Sequence, residues 1–104
     1  MRIAFDVDGT LIDYDEKPRE NIIELLKMMA EMQGTTIIVW SGGGREYALT
    51  WVKRLGLDDY VDIVTSKDKS LKVDIAFDDY KVNLAEVNIT VAQDNISVFK
   101  EERW

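Results

Sequence analysis

Short apolar runs alternate along the chain with longer segments whose apolar positions recur at helical spacing, and most of the apolar runs end on polar residues. Ile3 to Val7 reads as a buried strand, and Pro18 to Gln33 reads as a helix with Ile22, Leu25, Leu26 and Met29 on one face. Pro18 suits a first helical turn and Gly34 a stop. Thr35 to Trp40 is a β-branched apolar run, hence a second strand, broken by Ser41-Gly42-Gly43-Gly44. Tyr47, Ala48, Trp51, Val52 and Leu55 make the stripe of a second helix closed by Gly56. Val61 to Val64 predicts a short strand, and a lysine-rich loop, Thr65 to Lys72, leads into a further strand at Val73 to Phe77. Leu84 to Val91 predicts a last helical turn and a fifth strand; Asp94 to Trp104 fits either a terminal strand or an ordered tail.

Strands alternating with helices imply right-handed crossovers and a parallel sheet covered on both faces, an α/β fold. The length of 104 residues predicts one domain, 1–104, and the 46% hydrophobic content with a single proline argues for a packed globule. The formal charge of −7 gives no electrostatic reason for non-specific nucleic-acid binding. Neither a long apolar span nor a signal pattern is visible, so the expectation is a soluble, cytoplasmic protein without membrane association.

The polar residues that close the strands carry the chemistry. Asp6 and Asp8 lie two apart, so a regular strand would point both to one face, where their repulsion calls for a cation. The chain has neither cysteine nor histidine. Any metal must therefore be held by oxygen, which points to Mg²⁺ or a similar hard ion. In parallel sheets ligands gather beyond the carboxyl ends of the strands. The predicted strands deliver Asp6 and Asp8, then Ser41 with its glycines, then the lysine loop, then Asp78-Asp79 to that rim.

Asp6-Val7-Asp8-Gly9-Thr10-Leu11 after a strand, Ser41 after a strand, a lysine in a later loop and Asp78-Asp79 after another strand resemble the four motifs of the haloacid dehalogenase superfamily of phosphotransferases. The resemblance covers roughly residues 3 to 80. It implies a Rossmann-like three-layer sandwich with a parallel sheet of about five strands, and a phosphatase that hydrolyses a phosphomonoester. Asp6 would be the nucleophile that becomes an aspartyl-phosphate, and Asp8 the general acid and then base. Mg²⁺ would be held by the Asp6 side chain, the Asp8 backbone carbonyl and Asp78, with Asp79 in support. Gly9, Thr10, Ser41, Gly42, Gly43 and Lys67 would bind the phosphoryl group. Lys67 follows Thr65-Ser66 directly after a strand, but the usual Lys-Pro pair is missing, which leaves Lys69 as the alternative.

Relatives often carry a cap domain, for which this chain leaves no room. An open site predicts a large phosphorylated substrate, or a second copy or partner closing it. Two other classes compete. Receiver domains of response regulators combine similar residues but place the adjacent acidic pair first, whereas here it comes last. A regulatory or interaction module that binds magnesium without turnover would keep the motif and lack hydrolysis.

Overall fold

A computed structural model describes residues 1–93. The terminal strand or ordered tail expected for residues 94–104 lies outside the described residues. Seven elements follow in the order β1 (Arg2–Asp6), α1 (Glu20–Ala30), β2 (Thr36–Ser41), α2 (Arg45–Arg54), β3 (Ile63–Ser66), β4 (Ile75–Asp78) and β5 (Val87–Thr90). The five strands form one sheet in the order β3-β2-β1-β4-β5, and every pair is parallel. This is the α/β, Rossmann-like arrangement, and among the described residues no separate cap is inserted into it.

The chain walks outward from β1 through β2 to β3, then jumps back across the sheet to place β4 on the other side of β1. Strand order reverses between β1 and β4, and their carboxyl ends carry Asp6 and Asp78. The register sets Phe5 beside Phe77, whose rings stack with centroids 4.7 Å apart. That apolar pair lies one residue behind each of the two carboxylates.

Both helices cover one face. Ile3, Phe5, Ile37, Val39 and Phe77 from the sheet share a core with Ile23 and Leu26 of α1 and with Ala48, Trp51 and Val52 of α2. In α2 the expected stripe holds; in α1 Leu26 is buried as expected, but Ile23, outside the expected stripe, is buried too, and Ile22, Leu25 and Met29 are only half-buried against the same core. The opposite face, Ala4, Ile38, Trp40 and Ala76, packs against Val73, Leu71, Leu84 and Ala85. Among the described residues the third layer is thus made of the connections 67–74 and 79–86 and not of helices.

Several boundaries differ from the sequence expectation for local reasons. Pro18 does not open α1: it pairs with Ile12 in an isolated antiparallel bridge, and Arg19 is still extended before Glu20. The helix ends at Ala30 instead of Gln33, and Gly34 turns the chain at φ 80°. β3 begins at Ile63 and not at Val61, because Tyr60 and Val61 donate back to the Leu57 carbonyl and remain in a turn. β4 begins at Ile75 and not at Val73, because Asp74 ties to Arg2 by its own backbone and side chain. The expected helical turn before β5 is absent; Asn88 Oδ1 accepts from the Leu84 and Ala85 N–H groups and shapes that segment as a bend. No helix among the described residues is long and apolar enough to cross a membrane.

Candidate active site

The carboxyl ends of β1, β2, β3 and β4 deliver their polar residues to one place. A cavity of about 290 Å³ opens there, lined by Asp6, Asp8, Tyr14, Ser41, Gly42, Gly43, Lys67, Asp79 and Tyr80. Asp78 lies beneath them, 1% exposed. Lys67, one residue past β3, reaches across to β1 and β4: its Nζ stands 3.1 Å from Asp6 Oδ1 and 2.7 Å from Asp78 Oδ2. Its backbone N–H donates to the Ser41 carbonyl, which fixes where that reach begins.

Asp6 is buried at 4% exposure, yet it carries a carboxyl among two others. Burial first, and the neighbouring Asp79 carboxylate second, push its pKa from 3.8 up to about 7 against the pull of Lys67. Burial acts to lower the Lys67 ammonium, but the carboxylates of Asp78 and Asp6 together outweigh it and hold the group above its ordinary value. Burial opposes ionisation of Asp79, and the hydrogen bonds it shares with Tyr14, Asp6 and Asp78 outweigh that and hold it below the ordinary range.

Asp6, Asp78 and Asp79 present oxygens all within 4.8 Å of one another. Asp78 Oδ2 is buried, and the Lys67 ammonium meets it at 2.7 Å. Three clustered carboxylates, two of them buried and sharing a single lysine, suit a hard divalent cation that prefers oxygen donors.

The remaining predicted residues divide. Asp8 is exposed, and its Oδ1 accepts a 2.6 Å hydrogen bond from the Tyr47 hydroxyl, a contact that raises the Tyr47 pKa. Ser41 Oγ accepts from the Gly43 N–H at 2.9 Å, so the hydroxyl organises the glycine turn that leads into α2. Thr10 does not line the cavity; it is buried, and its hydroxyl donates to Asp6 Oδ2 at 3.5 Å. Gly9 does not line it either, but it packs so tightly that a Cβ there would lie 2.5 Å from Asp79 Oδ2, and its φ of +79° suits glycine. Lys69 faces a separate groove with Leu71, Lys72 and Leu84 and is not part of this cavity.

Sequence reasoning missed four contributors. Tyr47 counted only as part of an apolar stripe, although a tyrosine three residues after Gly44 on the first turn of α2 also carries a polar tip. Tyr14, whose hydroxyl donates to Asp79 Oδ2, belongs to none of the four motifs. Arg19 and Gln93 hold the Gly9 carbonyl, Gln93 Nε2 at 2.9 Å and Arg19 Nη1 at 3.5 Å. No sequence signal links Gln93 to a loop so far away in the chain.

Protein-family comparison matches residues 3–66 to a family described as haloacid dehalogenase-like hydrolase. No curated protein and no solved structure matches the chain. The matched stretch holds Asp6, Asp8 and Ser41, while Lys67, Asp78 and Asp79 follow it and join the site through the sheet topology. A match over more than half of the chain, centred on the segment that builds this cavity, makes the chain a member of the haloacid dehalogenase-like hydrolase family.

Proposed function

We propose that this hydrolase is a magnesium-dependent phosphatase that cleaves a phosphomonoester through an aspartyl-phosphate on Asp6. The observation that carries the reading is the convergence of Asp6, Asp78, Asp79 and Lys67 at the reversal of strand order, with Asp8 and Ser41 on the same cavity wall. Asp6, Asp78 and Asp79 would hold Mg²⁺. The ion, when bound, supplies charge neutralisation for a phosphoryl group beside carboxylates.

The chain's own residues divide the remaining work. Asp6 attacks phosphorus with a carboxylate oxygen: an O–P bond forms as the ester O–P bond breaks, and the leaving oxygen takes a proton from Asp8. Deprotonated Asp8 then takes a proton from water, whose oxygen attacks phosphorus and returns Asp6 as a carboxylate with release of inorganic phosphate. Lys67 supports the charge on the transferring oxygens from within salt-bridge reach of Asp6. The Ser41 hydroxyl and the Gly42 N–H, in the turn that leads into α2, offer donors to the same oxygens, while the Gly43 N–H holds Ser41 Oγ in place. Positioning and charge carry most of such a transfer.

Among the described residues no cap covers the cavity, so the substrate is a phosphate on a bulky carrier, or a second subunit closes the mouth. Work in the cytoplasm, where free magnesium is abundant, fits this chemistry. A strictly magnesium-binding, non-hydrolytic module is the competing reading. The deciding experiment is turnover of 4-nitrophenyl phosphate with and without Mg²⁺, for the parent and for Asp6→Asn. Magnesium-dependent release that disappears in the variant supports the phosphatase. Magnesium binding without turnover of any phosphomonoester in a substrate panel supports the module.

A further inference from the structure

Residues 13–17 form a turn that closes on itself above the acidic cluster. The Asp13 N–H donates to the Lys17 carbonyl at 2.8 Å, and Asp13 Oδ1 accepts from the N–H groups of Asp15 and Lys17 at 2.8 and 2.9 Å. The turn meets the body of the protein at the Ile12 and Pro18 bridge. Beyond that hinge, among the described residues, one hydrogen bond ties it to the site: the Tyr14 hydroxyl donates to Asp79 Oδ2. Tyr14 is 60% exposed although it lines the cavity, so apolar burial does little to hold it down.

Asp79 is also one of the three carboxylates whose oxygens converge within 4.8 Å, and it is the partly exposed one, on the cavity wall beside Tyr14. A carboxylate oxygen engaged by a hydroxyl donor is less free to meet a cation, and a divalent ion offers it far more electrostatic energy than a neutral donor does. We infer that Tyr14 is a latch on the cation site: it competes with a divalent cation for Asp79, and cation entry frees the turn 13–17 from the cavity mouth. The inference rests on reading the acidic cluster as a cation site. It gives binding an order, cation first and phosphate ester second, and makes Tyr14 a determinant of cation affinity.

The test is calorimetric titration of Mg²⁺ into the metal-free full chain, without any phosphate compound, for the parent, Tyr14→Phe and Tyr80→Phe. The phenylalanine keeps the ring and removes only the donor. Tyr14→Phe should bind Mg²⁺ about three- to tenfold more tightly than the parent, the size of a modest hydrogen bond lost to competition. Tyr80→Phe, which changes the other exposed tyrosine of the cavity, should match the parent. Backbone NMR relaxation gives a second readout: residues 14–16 should gain fast motion when Mg²⁺ is added to the parent, and should already have it in metal-free Tyr14→Phe. Equal or weaker Mg²⁺ affinity in Tyr14→Phe, with the parent binding normally, overturns the latch and leaves the cation site standing. Absence of Mg²⁺ binding in all three proteins overturns the cation site and the latch with it.

Discussion

Asp6→Asn should stabilise the metal-free protein at pH 8, although it removes the residue on which the chemistry depends. In the folded chain the Asp6 carboxyl titrates at about 7 instead of 3.8, chiefly because it is buried beside other carboxylates. The unfolded chain releases this proton near pH 4 and the folded chain keeps it until about pH 7, so the unfolded state binds fewer protons in between. Stability therefore falls as pH rises through that window; the penalty is absent below it and complete above it. A shift of roughly three pK units corresponds to about 4 kcal/mol at 1.36 kcal/mol per unit. That net shift already includes the pull of Lys67, so the variant should gain about 4 kcal/mol at pH 8. The assay is urea denaturation of both proteins in chelator at several values between pH 4 and pH 8. The gap between them should be near zero at pH 4 and widen steadily towards pH 8. Saturating Mg²⁺ should reverse it by stabilising only the parent. A gap that does not change with pH, or a variant less stable than the parent at pH 8 in chelator, would refute the assignment of Asp6 as a buried, destabilising charge.

Two other perturbations probe the same cluster. Gly9→Ala puts a Cβ 2.5 Å from Asp79 Oδ2 at a φ of +79°; it should cost about 1–2 kcal/mol in backbone strain, read by thermal unfolding, and weaken Mg²⁺ binding measured by calorimetry. Lys67→Met leaves Asp6 and Asp78 without their shared cation; it should destabilise the metal-free protein by about 2–3 kcal/mol at pH 8 and lower kcat/KM on an aryl phosphate by about 10²- to 10³-fold.

What was legible in the sequence was local. Ile3 to Asp6 reads as a strand ending in a carboxylate because a central parallel strand, covered on both faces, is written as one apolar run. The stripes of α1 and α2 were legible for the same reason, since one face of each meets the sheet. The meeting of Lys67 with Asp6 and Asp78 was not, because it depends on the chain crossing back after β3 to lay β4 against β1. Residue spacing carries no record of strand order: the strand ends predicted only a shared rim, and the family resemblance placed Lys67 at the phosphoryl group without pairing it to Asp6 or Asp78. The start of β3 was lost to turn hydrogen bonds at Leu57, and the bend before β5 to the side chain of Asn88, contacts that apolar periodicity does not encode. Tyr47 was missed because an aromatic ring in an apolar stripe conceals a hydroxyl, which here donates to Asp8.

The central claim is a covalent phosphoryl group on Asp6. Rapid acid quench during turnover of an aryl phosphate with Mg²⁺, followed by borohydride reduction and peptide mass spectrometry, tests it directly. An acyl phosphate on Asp6 is reduced to homoserine, and the account predicts homoserine at that position alone, dependent on both substrate and Mg²⁺. Phosphate release at full rate with Asp6 recovered only as aspartate, or with the label on another residue, would contradict it.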